Sequence, residues 1–117
     1  MKTWTLKFRQ TDKDNFDEIK DGLKTIETRA ASFKYKNIQA GDILIFACGK
    51  ERLSKQVVKR QHFLSVEAMV KEIPFNKIMP SIKSVDEMKK IYSSYPDYDE
   101  KIKEFGILAL ELGEVQK

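Results

Sequence analysis

The alternation of apolar and polar positions predicts strands and helices interleaved along one chain. In TWTLKFR, residues 3–9, Trp4, Leu6 and Phe8 alternate with Thr5, Lys7 and Arg9, the period of a half-buried strand. The pattern then changes. Phe16, Ile19 and Leu23 recur at helical spacing behind Asp12 or Asp14, either of which can cap a helix, and Gly22 suits its C-terminal end. Thr25, Glu27 and Arg29 alternate with Ile26 and Thr28, so a second strand is expected immediately after. Residues 32–39 read as an irregular connection anchored by Phe33, Tyr35 and Ile38, and Ala40-Gly41-Asp42 as a turn.

The run DILIFAC, 42–48, is continuously apolar, as expected of a strand covered on both faces. Residues 56–63 predict a further strand. Val66, Met69, Val70 and Ile73 then return to helical spacing, with Ser65 as the N-cap and Pro74 as the stop. PFNKIMP reads as a proline-bounded turn. Ser84-Val85-Asp86-Glu87 has the form of a capping box opening a helix that ends before Pro96. YDEKIKEF adds a helical turn, and residues 106–112 close the chain with a strongly apolar strand. The predicted class is α+β: a twisted sheet or small barrel of five or six strands with two or three helices between them. With 117 residues and no linker, residues 1–117 are expected to form a single domain.

Composition narrows the chemistry. The chain is 41% hydrophobic and 34% charged, as in ordinary globular proteins, and no apolar stretch approaches the roughly 20 residues of a bilayer span. A cytoplasmic protein is expected, with no cofactor. One cysteine, Cys48, and one histidine, His62, leave no metal constellation; Cys48 is expected in the core and His62 in a structural or surface role. The net charge of +4 biases the chain toward polyanions. Arg52, Lys55, Lys59 and Arg60 crowd into one segment, either as a stripe that faces nucleic acid or as a solvated strand edge protected by charge.

The sharper signal is GLKTIETR, residues 22–29. Glu27 and Arg29 two apart on a strand project to one face, and Lys24 at the helix-to-strand junction can reach the same place. Arginine supplies a planar donor fork for phosphate or a base edge, lysine a compact charge, and glutamate an acceptor for an exocyclic amine. Two arrangements fit: a salt-bridge network closing the corner, or a ligand cleft formed by Lys24, Glu27, Arg29 and Thr25. Phe33, Tyr35, Tyr92 and Tyr95 are the candidates for stacking on a base, with Tyr35, in the connection that follows, the first to test. Lys24 and Glu27 are also the candidate acid and base should the cleft be catalytic.

The ordered set Gly22-x-Lys24-x-x-Glu27-x-Arg29, Ile38-x-x-Gly41-Asp42-x-x-x-Phe46, Val57-Val58 leading to Phe63, Glu72, Ile78-x-Pro80, Tyr95-Pro96 and Phe105-Gly106-Ile107-Leu108-Ala109 resembles the ASCH domain, named for homology to the activating signal cointegrator. The resemblance covers nearly the whole chain. It implies a PUA-like mixed β-barrel with flanking helices, a cleft lined by the motif's lysine, glutamate and arginine, and an RNA, nucleotide or nucleoside ligand. One branch of the family is similar to amidohydrolases that deacylate N4-acetylcytidine with a lysine, a threonine and a distant glutamate, and other relatives cleave RNA as ribonucleases. Lys24 matches that lysine. Glu27 stands in the threonine's place, and residues 79–84 contain no acid.

Overall fold

The computed structural model describes residues 1–116. Its strands are β1 (Thr3–Phe8), β2 (Ile26–Ala30), β3 (Ile43–Cys48), β4 (Glu51–Phe63) and β5 (Ile107–Gly113). Its α-helices are α1 (Lys13–Lys20), α2 (Val66–Glu72), α3 (Phe75–Ile78), α4 (Val85–Ser94) and α5 (Tyr98–Phe105), with a 3-10 turn over Gln10–Asp12. PFNKIMP and YDEKIKEF therefore form helices of their own, which raises the helix number above the two or three expected. Among the described residues no helix is long and apolar enough to cross a membrane.

The strands form one mixed sheet in the order β1-β3-β4-β5-β2. β1 runs parallel to β3, pairing Leu6 with Phe46, and the remaining neighbours are antiparallel. The sheet curls into a half-barrel whose two open edges are β1 and β2. Inside the curl, α1 inserts Phe16 and Ile19 against Leu6, Leu44, Phe46 and Leu110. Outside it, α2–α5 cover β2 and β5 with Met69, Ile78, Met88 and Tyr92.

β5 is the strand covered on both faces: Leu108 and Leu110 enter the inner core, while Ile107 and Ala109 enter the outer one. That corrects the expectation for residues 42–48. Leu44, Phe46 and Cys48 are buried there, but Ile43 and Ile45 are only half-buried because no helix lies over that part of the outer face. β4 is also longer than the predicted 56–63, extending back to Glu51 with a bulge between Val57 and Lys59. Its first half presents charged residues to solvent with only Leu53 as an apolar marker, too weak a pattern to read as a strand.

Local signals mostly act as their chemistry dictates. Gly22 takes a left-handed φ of 80°, letting Leu23 and Lys24 both return their N–H groups to the Glu18 carbonyl at 3.0 Å and ending α1 sharply. Ser65 accepts from Ala68 N–H at 3.1 Å and Ser84 from Glu87 N–H at 3.2 Å. Two caps differ from expectation. Asp12 spends its carboxylate on Arg9 Nε at 2.7 Å, and the Glu87 side chain takes the N–H of Lys83 at 2.8 Å in place of that of Ser84.

The start of the sheet is tied by Asp42. One buried carboxylate oxygen accepts from Lys2 N–H at 3.0 Å, and the other accepts from Trp4 Nε1 and Gln39 N–H, each at 2.9 Å. Burial alone would raise its pKa, but these donors and the nearby N-terminal charge outweigh burial and hold it below the usual carboxylate range. Asp42→Ala strands three donors and is expected to cost about 2–3 kcal/mol in a urea titration. Because the folded carboxyl has the lower pKa, its contribution is full above the unfolded value near 4 and fades as pH falls through the folded one. Denaturation profiles of parent and variant should therefore converge in acid; a constant gap from pH 7 down to 2 would contradict this role.

Candidate functional site

A cleft of about 450 Å³ opens where the half-barrel fails to close, between the end of β1 and the free edge of β2. The residues that follow Gly22 reach it in order. Lys24 is swallowed by the corner: its ammonium donates to the Ile78 carbonyl and lies 3.6 Å from Glu27 Oε1. Glu27 Oε1 also accepts from Thr28 N–H at 3.0 Å, and Oε2 pairs with Arg29 Nη2 at 3.2 Å. Arg29 Nη1 continues to the Tyr35 hydroxyl at 3.4 Å, while the guanidinium lies 5.1 Å from the centre of the Phe8 ring and 5.4 Å from that of Tyr35. A continuous polar chain thus runs from Lys24 to Tyr35, and its arginine bridges the gap between the two sheet edges.

The edge position of β2 explains why neighbouring residues of opposite faces meet in the cleft. Glu27 and Arg29 point into the curl. Thr28 points toward the helices, where its hydroxyl meets that of Tyr92 at 2.5 Å, yet it also borders the opening because the cleft wraps the unpaired edge. Two of the outward N–H groups are taken up by side chains: Thr28 donates to Glu27, and Ala30 donates to the Tyr98 hydroxyl at 3.1 Å. Side chains have replaced the missing strand.

Electrostatics follow from burial. Lys24 has its pKa lowered, because loss of solvent outweighs the attraction of Glu27 and Glu18. Burial pushes Arg29 the same way, but Glu27, together with Tyr98 and Tyr35, more than reverses it and keeps the guanidinium charged. Tyr92, Tyr95 and Tyr98 form one aromatic wall, with Tyr92 and Tyr98 stacked at 6.1 Å and Tyr95 edge-on to Tyr98 at 5.2 Å. Burial raises the pKa of all three phenols, Tyr95 to about 12, so they stay neutral donors at physiological pH.

A family model for the ASCH domain matches residues 10–116. The chain belongs to the ASCH domain family. The crystal structure of hypothetical protein PH0355 is 30% identical, with a TM-score of 0.79 over 96% of this chain and 97% of that one. The solution NMR structure of protein PF0455 from Pyrococcus furiosus is 26% identical, with a TM-score of 0.73 over 100% of both chains. No curated protein matches. The curled mixed sheet with its flanking helices is the PUA-like arrangement of an ASCH domain, a family generally linked to RNA binding.

Within this ASCH domain, Lys24, Glu27, Arg29 and Tyr35 all line the cleft. Thr25 does not. It is exposed, precedes β2, and is held through its backbone, which accepts from Leu112 N–H at 2.9 Å. The basic segment lies away from the cleft. Arg52 closes the β3–β4 turn by donating to the carbonyls of Gly49 at 2.8 Å and Glu51 at 2.9 Å, and Lys55 pairs with Glu114 at 2.6 Å. Arg60 donates to the carbonyls of Ile38 at 2.7 Å and Lys36 at 2.9 Å. None of these, nor exposed Lys59, lines the cleft, because the bulge and the strand's alternation spread them over different surfaces.

Residues that sequence reasoning passed over are Phe8, Arg9, Tyr98, Lys101 and Phe105, all in the cleft wall. The even spacing of Tyr92, Tyr95 and Tyr98 was a signal that could have grouped the tyrosines. Nothing local announces Phe8 and Arg9, which arrive through the parallel pairing of β1 with β3.

Proposed function

We infer that this ASCH domain binds RNA or a nucleotide by taking one base and its phosphate into the cleft between β1 and β2. The observation that carries the reading is the joint chemistry of the lining. Basic side chains from Lys7, Arg9, Arg29, Lys34 and Lys101 line the cleft with Asp12 and Glu27 as its acids, and the walls between them are aromatic. A groove that is cationic along its rim and aromatic along its walls suits a backbone phosphate and a stacked base together. The volume of about 450 Å³ lies in the range of small-ligand sites.

In this reading Arg29 is the ligand's principal polar partner, and Lys24 and Glu27 position it. Glu27 already uses both oxygens, and the Lys24 ammonium is held on a backbone carbonyl. These two residues support binding, and no hydrolytic step is assigned to them.

Titration with short single-stranded RNA and with mononucleotides at low ionic strength tests the reading. Binding should weaken as salt rises. Arg29→Ala should lose roughly 10- to 100-fold in affinity, the worth of one charge-assisted contact. Unchanged affinity in that variant, or no binding by the parent chain, would remove the reading.

A further inference from the structure

The turn after β2 holds two aromatic rings in different settings. Tyr35 is inside the cleft, half-buried against Arg29. Phe33 borders the same cleft but is 74% exposed, its ring held edge-on to Phe105 at 5.4 Å. Each ring carries a lysine ammonium: Lys34 lies 5.3 Å from the centre of Tyr35, and Lys36 lies 4.6 Å from that of Phe33. The turn is rigidly made. Tyr35 and Lys36 both donate to the Ser32 carbonyl, at 3.0 and 2.8 Å, and Arg60 of β4 grips the carbonyls of Lys36 and Ile38 from below.

We propose that the ligand is a continuous single strand, and that the nucleotide next to the cleft-bound one stacks its base on Phe33 with its phosphate at Lys36. The proposal rests on the cleft reading above and adds the length of the ligand and a second subsite. The repeat of ring and cation at the cleft mouth matches the repeat of base and phosphate along a strand, and base–aromatic stacking tolerates any sequence. A ring already fixed by Phe105 and a clamped turn loses little freedom on stacking.

The test compares mononucleotides of A, C and U with the matching single-stranded RNA tetranucleotides by calorimetric titration at low ionic strength. The tetranucleotide should bind roughly tenfold more tightly than its mononucleotide, the scale of one stacked base. In Phe33→Ala that advantage should vanish, and Phe33→Trp should restore it. Because the extra phosphates also attract lysines, Lys36→Ala serves as a control and should reduce the advantage together with its salt dependence. Equal affinities for the two lengths, or an advantage that survives Phe33→Ala, would overturn the second subsite and leave the cleft reading standing. No binding of either length by the parent chain would overturn both. Phe33 is exposed, so its variants should keep the parent's circular dichroism and melting temperature.

Discussion

Glu27→Ala should be among the most destabilising single substitutions in this protein, at about 3–5 kcal/mol. Glu27 is 4% exposed and Lys24 equally so, so removing the carboxylate leaves an ammonium in the interior with only the Ile78 carbonyl as partner. It also orphans the Thr28 N–H and frees one side of Arg29. The loss has a pH signature. Lys24 already has a lowered pKa in the folded chain, and without Glu27 that pKa must fall further. A lysine with a depressed folded pKa binds fewer protons folded than unfolded, so stability rises with pH up to the unfolded value near 10.4. In the variant the rise begins at lower pH. Urea titrations between pH 7 and pH 9.5 should therefore show the stability of Glu27→Ala rising with pH at least as steeply as the parent's. A difference between parent and variant below about 1 kcal/mol at pH 7, or a variant less pH-dependent than the parent, would mean that the corner is wetter and less dependent on the pair than its geometry indicates.

The second large effect is expected at the junction of α5 and β5. Gly106 has φ 82° and ψ −171°, a region essentially restricted to glycine. Space is also lacking: a β-carbon there would lie 2.5 Å from His62 Nε2 and 2.6 Å from the Phe63 carbonyl oxygen. Gly106→Ala should cost roughly 3–5 kcal/mol and lower the melting temperature by roughly 10–20 °C. Removing the imidazole distinguishes the two sources of strain. His62→Ala in the Gly106→Ala background should recover only part of the loss, because the Phe63 carbonyl and the backbone conformation stay in place. Full recovery would assign the effect to the side-chain clash alone. The same geometry accounts for the lone histidine, whose ring nitrogen lies 2.8 Å from the Phe105 carbonyl oxygen and packs over this glycine.

These two positions sit at opposite ends of the β2–β5 pair, where Ala31 N–H reaches the Gly106 carbonyl at 2.9 Å and Glu27 pairs with Leu110. The pair positions the cleft. β5 is held between two cores, and β2 lies at the end of the sheet, its far edge unpaired by any other strand among the described residues. On the proposed reading of the cleft, a disturbance of Gly106 should weaken RNA or nucleotide binding indirectly, through the placement of Glu27 and Arg29.

Several features were decided within a few residues of chain, and those could be read directly. The alternation in β1, the helical spacing of Phe16 and Ile19, the caps at Ser65 and Ser84 and the left-handed stop at Gly22 all depend on neighbours close in sequence. The convergence of Glu27 with Arg29 is equally local, since a strand repeats its direction every second residue. Other features depended on partners far along the chain. Whether Thr25 or Thr28 borders the cleft follows from β2 lying at the edge of the sheet, and whether Arg60 meets solvent follows from where residues 36–38 return. The charge crowding in β4 left open whether those residues share a surface, because strand alternation and the bulge between Val57 and Lys59, which set where each one points, belong to the folded sheet. Local periodicity carries information about faces, but only the completed sheet determines what each face meets, because an open edge and its opposite wall are brought together by strand order and not by proximity in sequence.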